Sequence, residues 1–118
     1  MKYKIRKLDG RYSYREFFKY CIVFNNVMAP KYKDVEAFNN CLLWFTQTYG
    51  PSTEIRQWKD IHRYYYTMGI SFLDDTVIPE YVNRNWSWTN GYEDLRIYVK
   101  SDKELSFFKL ANPVDSTH

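Results

Sequence analysis

Ser13-Tyr-Arg-Glu-Phe-Phe-Lys-Tyr-Cys-Ile-Val-Phe24 is the stretch whose reading decides the fold. It opens with Ser13 and Glu16 in the spacing of a capping box, where the hydroxyl accepts from an amide three residues on and the carboxylate reaches back. Tyr14, Phe17, Phe18, Cys21 and Ile22 then recur at i, i+3, i+4, i+7 and i+8. That spacing predicts a helix over 14–24, closed by Asn25-Asn26.

Upstream, residues 2–8 alternate. Tyr3 and Ile5 fall on one side and Lys2, Lys4 and Arg6 on the other, the period of a half-exposed strand. Asp9-Gly10 marks a turn. Downstream, Val35, Phe38, Leu42 and Phe45 line one side of a helix expected over 34–48, with Cys41 and Trp44 beside them. Asp34 and Glu36 in its first turn suit the helix dipole. Gly50-Pro51 stops it. A shorter helix opens at Ser52 or Thr53 with Ile55, Trp58 and Ile61 inward.

Residues 63–73 alternate and are rich in Tyr, Ile, Thr and Phe, which predicts a strand. Asp74-Asp75 reads as a turn and Thr76 to Ile78 as a short strand cut off by Pro79. Residues 80–94 read as a loop or irregular strand ending at the Asn90-Gly91 turn. Leu95 to Val99 is a strand. Ser101 and Glu104 form a second capping box that opens a short helix with Leu105 and Phe108 inward. Residues 113–118 read as a frayed tail. Helices and strands do not strictly alternate, so the expected architecture is α+β over residues 1–118: one small domain, a short, mainly antiparallel sheet under three to four helices.

One residue in five of the 118 is aromatic: twelve Tyr, eight Phe and four Trp. These side chains supply large contact area at low entropic cost, either as core or as a recognition surface. The formal net charge is +3, unevenly placed. Residues 1–33 hold nine Lys and Arg against two acids, and the remainder holds eight against twelve. The excess predicts a basic face built on Lys2, Lys4, Arg6 and Arg11, able to meet nucleic acid, an anionic ligand or an acidic protein. The alternative is a solvated strand edge kept from aggregating by its lysines.

Arg84-Asn-Trp-Ser-Trp88 is the candidate contact patch. In an extended segment Trp86 and Trp88 point the same way, with Arg84 on the same face and Tyr92 nearby. Rings beside an Arg could sandwich a base or anchor a partner. The alternative is that both Trp cover the open end of the core. Tyr64-Tyr65-Tyr66 is less specific: one face of such a strand is core.

The chemistry-bearing patterns are few. His62 with Asp60 could pair as base and orienter, but no nucleophile is placed by motif. Asp74, Asp75 and Glu80 could meet a hard cation, yet the spacing of a calcium loop is missing. No phosphate-loop, dinucleotide or nucleophile-elbow motif occurs. Cys21 and Cys41, read on the apolar sides of helices, lack the spacing of a zinc site. The expectation is a non-enzyme with no metal or cofactor. No stretch approaches the ~20 apolar residues of a membrane span, and Met1 to Lys7 is not followed by a signal-peptide apolar region. A soluble, cytoplasmic protein with reduced thiols is expected.

Leu95 to Leu110 resembles the ending of small uncharacterised accessory proteins of tailed bacteriophages. Ile97-Tyr98-Val99-Lys100 carries the strand of that pattern and Phe107-Phe108-Lys109-Leu110 its closing helix. The resemblance covers about 16 residues of 118 and no chemistry. It implies a phage-encoded protein working in the host cytoplasm. The expected function is stoichiometric capture of a host factor or of a small anionic or nucleotide ligand, possible jobs being inhibition of host machinery or of antiviral defence. A virion or assembly component, with homo-oligomers, and a single-stranded nucleic-acid binder are the alternatives.

Overall fold

In the computed structural model, which describes residues 2–10, 14–25, 31–70, 82–91 and 94–114, the stretch from Tyr14 to Phe24 is not a helix. Phe17 and Phe18 both donate their amides to Tyr14 O at 3.0 Å, closing a single turn. Tyr14 has φ 71°, a left-handed backbone from which an α-helix cannot propagate. The chain then straightens into a strand at Tyr20–Val23. Cys21 and Ile22 are wholly buried, one toward each side of the sheet. A strand covered on both faces reads as a continuous apolar run and loses the period-2 signal.

Among the described residues the sheet has four strands: β1 (Lys4–Lys7), β2 (Tyr20–Val23), β3 (Trp86–Thr89) and β4 (Arg96–Val99), in the order β1-β2-β4-β3. Every neighbouring pair is antiparallel. Three helices among the described residues flank it: α1 (Tyr32–Tyr49), α2 (Ile55–Thr67) and α3 (Asp102–Ala111). The architecture is therefore α+β, as the sequence led one to expect, although the first predicted helix is a strand.

The register assigns each side chain to a face. Ile22, Ile97, Val99 and Trp86 pack with Phe38, Cys41 and Phe45 of α1 and Leu105 and Phe108 of α3. Cys21, Val23 and Tyr98 pack on the opposite face with Ile55 and Trp58 of α2, Phe18, Leu8 and Val82. The sheet is thus sandwiched, with α1 and α3 on one side and α2 with the Tyr14 turn on the other. Cys21 is buried in β2, not on a helix; Cys41 lies on α1 as expected.

The helices begin for local reasons. Asp34 accepts the Lys31 amide at 2.9 Å, satisfying a donor ahead of α1 and placing negative charge at its positive end. Glu54 caps α2 by accepting the Arg56 amide at 3.1 Å. Before α3, Ser101 Oγ bonds Glu104 Oε2 at 2.5 Å, while Ser101 O accepts from Leu105.

Two further segments differ from expectation. Tyr64-Tyr65-Tyr66 belongs to α2, which runs on from the predicted short helix instead of giving way to a strand. Trp58 and Tyr65, seven residues apart, lie on its inner side, and Tyr64 and Tyr66 are exposed. Gly69, at φ 82°, closes the helix by donating to Tyr66 O, a left-handed position that favours glycine. Trp86–Thr89 is a regular strand instead of an irregular one. Between β3 and β4 the Asp94 amide donates to Gly91 O at 2.9 Å. The predicted features at residues 71–81, and the tail beyond residue 114, lie outside the described residues.

Asn83 joins the end of α1, α2 and β3. Its Nδ2 donates to Tyr49 O at 2.6 Å, its Oδ1 accepts from Asn85 N at 2.8 Å, and its own carbonyl accepts from Trp58 Nε1 at 2.7 Å. Trp86 Nε1 donates to Gly50 O at 2.9 Å beside this junction, while its ring stacks on Phe45 with centroids 5.2 Å apart. Trp86→Ala is expected to destabilise the fold by about 3–5 kcal/mol, because it opens a cavity and removes the indole's bond to that carbonyl, leaving it only Asn83 Nδ2 at 3.3 Å. Urea unfolding followed by far-UV circular dichroism measures it. Burial pushes both the Cys21 and Cys41 thiols up to about 12. Both are therefore expected to resist a thiolate-seeking reagent at mildly alkaline pH in the native protein and to react at once in denaturant, counted by absorbance.

Candidate functional site

The Trp segment and the basic strand are placed at opposite ends of the sheet. Trp86 is 1% exposed and belongs to the core between the sheet and α1. Trp88 is half-buried against the same cluster. The two rings do share a face, as alternation predicts, but that face is the interior one. Arg84 is half-buried ahead of β3, and Tyr92 lies outside the described residues. Of the two roles that the sequence allows these Trp residues, core and contact surface, Trp86 takes the first. Burial of Trp86 leaves no stacking platform there.

Lys4 and Arg6 lie on β1, three strand spacings from β3, a distance of about 14 Å. The register also puts them on the other face. Arg6 pairs with Cys21, which pairs with Tyr98 and on to Ser87, whereas the Trp86 row runs through Val99 and Tyr20 to Lys7. A base stacked at the Trp pair would not have its phosphates at Lys4 and Arg6. Lys2 is exposed just before β1, and Arg11 lies outside the described residues.

Hydrogen-bond phase distinguishes the two edges of the sheet. Leu8 N donates to Lys19 O at 2.8 Å. In an antiparallel ladder, bonded and non-bonded pairs alternate. With Leu8 opposite Lys19 in the bonded phase, Arg6–Cys21 and Lys4–Val23 are bonded pairs too. The main-chain groups of Ile5 and Lys7 therefore point away from β2. The partner phase agrees: Phe24 donates to Leu95 O across its register pair, so β2 alternates its bonds between β1 and β4, and Lys19, just ahead of β2, gives its carbonyl to Leu8 and its amide to Val99 O.

The same argument on β3 gives a covered edge. Lys100 N donates to Asn85 O, which turns the main chain of Trp86 and Trp88 outward. Ser52 Oγ donates to Trp86 O at 2.7 Å, and Glu54 bridges Trp88 in parallel. Ser87 Oγ adds a bond to Thr53 O at 2.6 Å. The segment leading into α2 thus closes this edge. Among the described residues no further strand pairs with β1, which ends the sheet on that side.

Charge gathers at the open edge. Lys4 and Arg6 are on the α2 face, in rows that also carry Arg96 and Tyr98. Arg96 holds Asp94 at 3.0 Å. Burial raises the Cys21 thiol, and the positive charges of Arg96 and Arg6 oppose that rise. Lys7 is on the other face beside Tyr20. There Lys19 Nζ holds Asp102 Oδ2 at 2.8 Å and the Tyr20 hydroxyl donates to Asp102 Oδ1, linking β2 to the start of α3. The Lys19 and Tyr20 bonds hold the Asp102 carboxyl below the usual carboxylate range, with Lys7 adding to the effect. Ile5, 36% exposed, is the apolar residue within this basic strand.

The other candidate chemistry is packing. The His62 ring lies parallel to Trp58 at 5.7 Å and also meets Phe17 at 4.7 Å and Tyr66 at 6.2 Å. Asp60 is two residues away on the same helix, a spacing that directs side chains apart, so it does not orient the imidazole. No cluster of three potential metal ligands occurs among the described residues. Asp74, Asp75 and Glu80 lie outside them. No helix is long and apolar enough to cross a membrane among the described residues.

Comparison of the chain with protein-family models, curated proteins and solved structures finds no match.

Burial pushes the His62 imidazole below its ordinary value of 6.5, against an opposing influence of Glu16. The unfolded chain therefore binds a proton there more readily than the folded one. The stability involved is complete above pH 6.5 and falls as pH drops from 6.5 through the folded value. Urea midpoints should decline between about pH 7.5 and about pH 5.5, and His62→Phe, which keeps a ring in the stack, should flatten that decline.

Proposed function

We propose that this chain is a non-enzymatic binding protein that captures an acidic partner protein at the β1 edge of its sheet. The asymmetry between the edges carries the reading. β3 is closed by its own chain, whereas β1 presents Lys4, Arg6 and Lys7 around exposed Ile5. Positive charge at such an edge steers an acidic partner and raises its rate of encounter. Lysine at an edge also guards against aggregation. A guard repels copies of itself and still admits a surface of opposite charge.

Under the origin implied by the resemblance to phage accessory proteins, the partner is a host protein, and capture of this kind inhibits by occupying a surface. The nucleotide form of the reading is not favoured, because stacking rings and basic strand are apart. A single-stranded nucleic acid is held by stacking as well as by charge, and its binding falls steeply with salt.

Fluorescence anisotropy with a labelled Glu-rich peptide and with an oligothymidylate of equal charge tests the proposal. The peptide should bind with an affinity that weakens as salt is raised, and Lys4→Glu combined with Lys7→Glu should lower it at least about tenfold. Failure of the peptide to bind, or equal binding by the double variant, overturns the proposal. Preferential binding of the oligothymidylate overturns it in favour of a nucleic-acid binder.

A further inference from the structure

We infer that the acidic partner is held by strand addition, with an extended segment of it pairing as a fifth strand on β1. This rests on the reading of β1 as the docking edge and specifies how that edge binds. The main-chain N–H and C=O groups of Ile5 and Lys7 point out of the sheet in the phase set by the Leu8–Lys19 bond. Two residues apart along a strand is about 6.8 Å, the repeat at which an added strand offers its own bonding pairs. The edge is therefore a ready template for an extended peptide. A nucleic acid has no such ladder and would leave these groups to water.

The side chains define the segment that fits. Lys4 and Arg6 lie on one face of β1, and Ile5 and Lys7 on the other. An added strand places its alternate residues beside each set. Carboxylates on the face of Lys4 and Arg6, with an apolar residue beside Ile5, give a sequence alternating acidic and apolar over about four to six residues. Such a pattern in a neutral or basic strand meets like charge or none.

A second copy of the chain is the occupant that charge argues against. Two β1 edges brought together would set Lys4, Arg6 and Lys7 against the same three residues, and like charges directly opposite are destabilising. The basic edge thus rejects itself and selects an acidic strand, repulsion and attraction arising from the same residues. The β3 edge does not compete, since Ser52 and Glu54 already occupy it.

The test is amide hydrogen exchange by NMR on the full chain, with and without a capped peptide of about four Glu-Val repeats, a length matched to a strand. In the protein alone the Arg6 and Leu8 amides, bonded to β2, should exchange slowly, and those of Ile5 and Lys7 quickly. With peptide, Ile5 and Lys7 should slow at least about tenfold while Arg6 and Leu8 change little. Ile5→Pro removes an outward donor without removing a bond to β2, so it should weaken peptide binding at least about tenfold. Ile5→Ala, which keeps the donor, should weaken it less. Peptide binding that leaves Ile5 and Lys7 unprotected overturns strand addition and leaves the basic-edge reading standing. No peptide binding overturns both. Protection that appears without peptide as the protein is concentrated overturns the assignment in favour of a second copy. Because exchange is read on the native chain, the test does not depend on Ile5→Pro folding.

Discussion

The pairing of β2 with β4 is the constraint on which the rest of the structure depends. It joins residues more than seventy positions apart, Tyr20 to Val99 and Ile22 to Ile97. It places β2 inside the sheet with both faces covered. Each β2 residue must then give its main-chain bonds alternately to β1 and β4, because a buried backbone group without a partner is costly. Once that alternation is fixed, so is the phase of β1. Ile5 and Lys7 face outward for a reason located on the far side of β2.

The two edges follow different solutions to the same problem. At β3 the chain covers its own exposed groups: the connection from α1 to α2 lays Ser52 and Glu54 along Trp86 and Trp88. Asn83 and the Trp86 indole hold that connection at the end of α1 through the carbonyls of Tyr49 and Gly50. At β1 the guard is charge. A covered edge is closed to every partner, whereas a charged edge is closed only to like charge. The proposed partner of opposite sign is assigned to β1 on this difference.

Much of this order was legible in the residues. The alternation of Lys2 to Leu8, the apolar line of α1, a helix start read at Ser52 or Thr53 and found at Glu54, the strand ending at Val99 and the Ser101 helix start all report local physics. The segment Tyr14 to Phe24 misleads because its spacing satisfies a helical period while its composition, Tyr-Cys-Ile-Val-Phe, suits a doubly buried strand. Periodicity cannot separate these, and only the contact with Ile97 and Tyr98 decides. Tyr64-Tyr65-Tyr66 misleads in the opposite direction. Tyrosine favours strands, but Trp58 and Tyr65 at i and i+7 bind this segment to the helical face. The basic strand was visible as a charge excess in the first third of the chain. Its position at an open edge was not, since that is set by long-range pairing.

The aromatic excess is the feature that most invites a functional reading, and its use is largely structural. Phe45 alone stacks with Tyr49, Trp86 and Phe108, and Trp58 meets Phe17, Phe18 and His62. A sheet of four-residue strands buries little area through its strands alone, and large rings on both faces compensate for that shortness. With Trp86 and its neighbours committed to packing, the proposed recognition rests on what packing leaves at the surface of the sheet. At β1 that remainder is main-chain polarity and positive charge. The same short strand that could not stabilise a large sheet is long enough to turn the main chain of Ile5 and Lys7 outward and to carry three basic side chains.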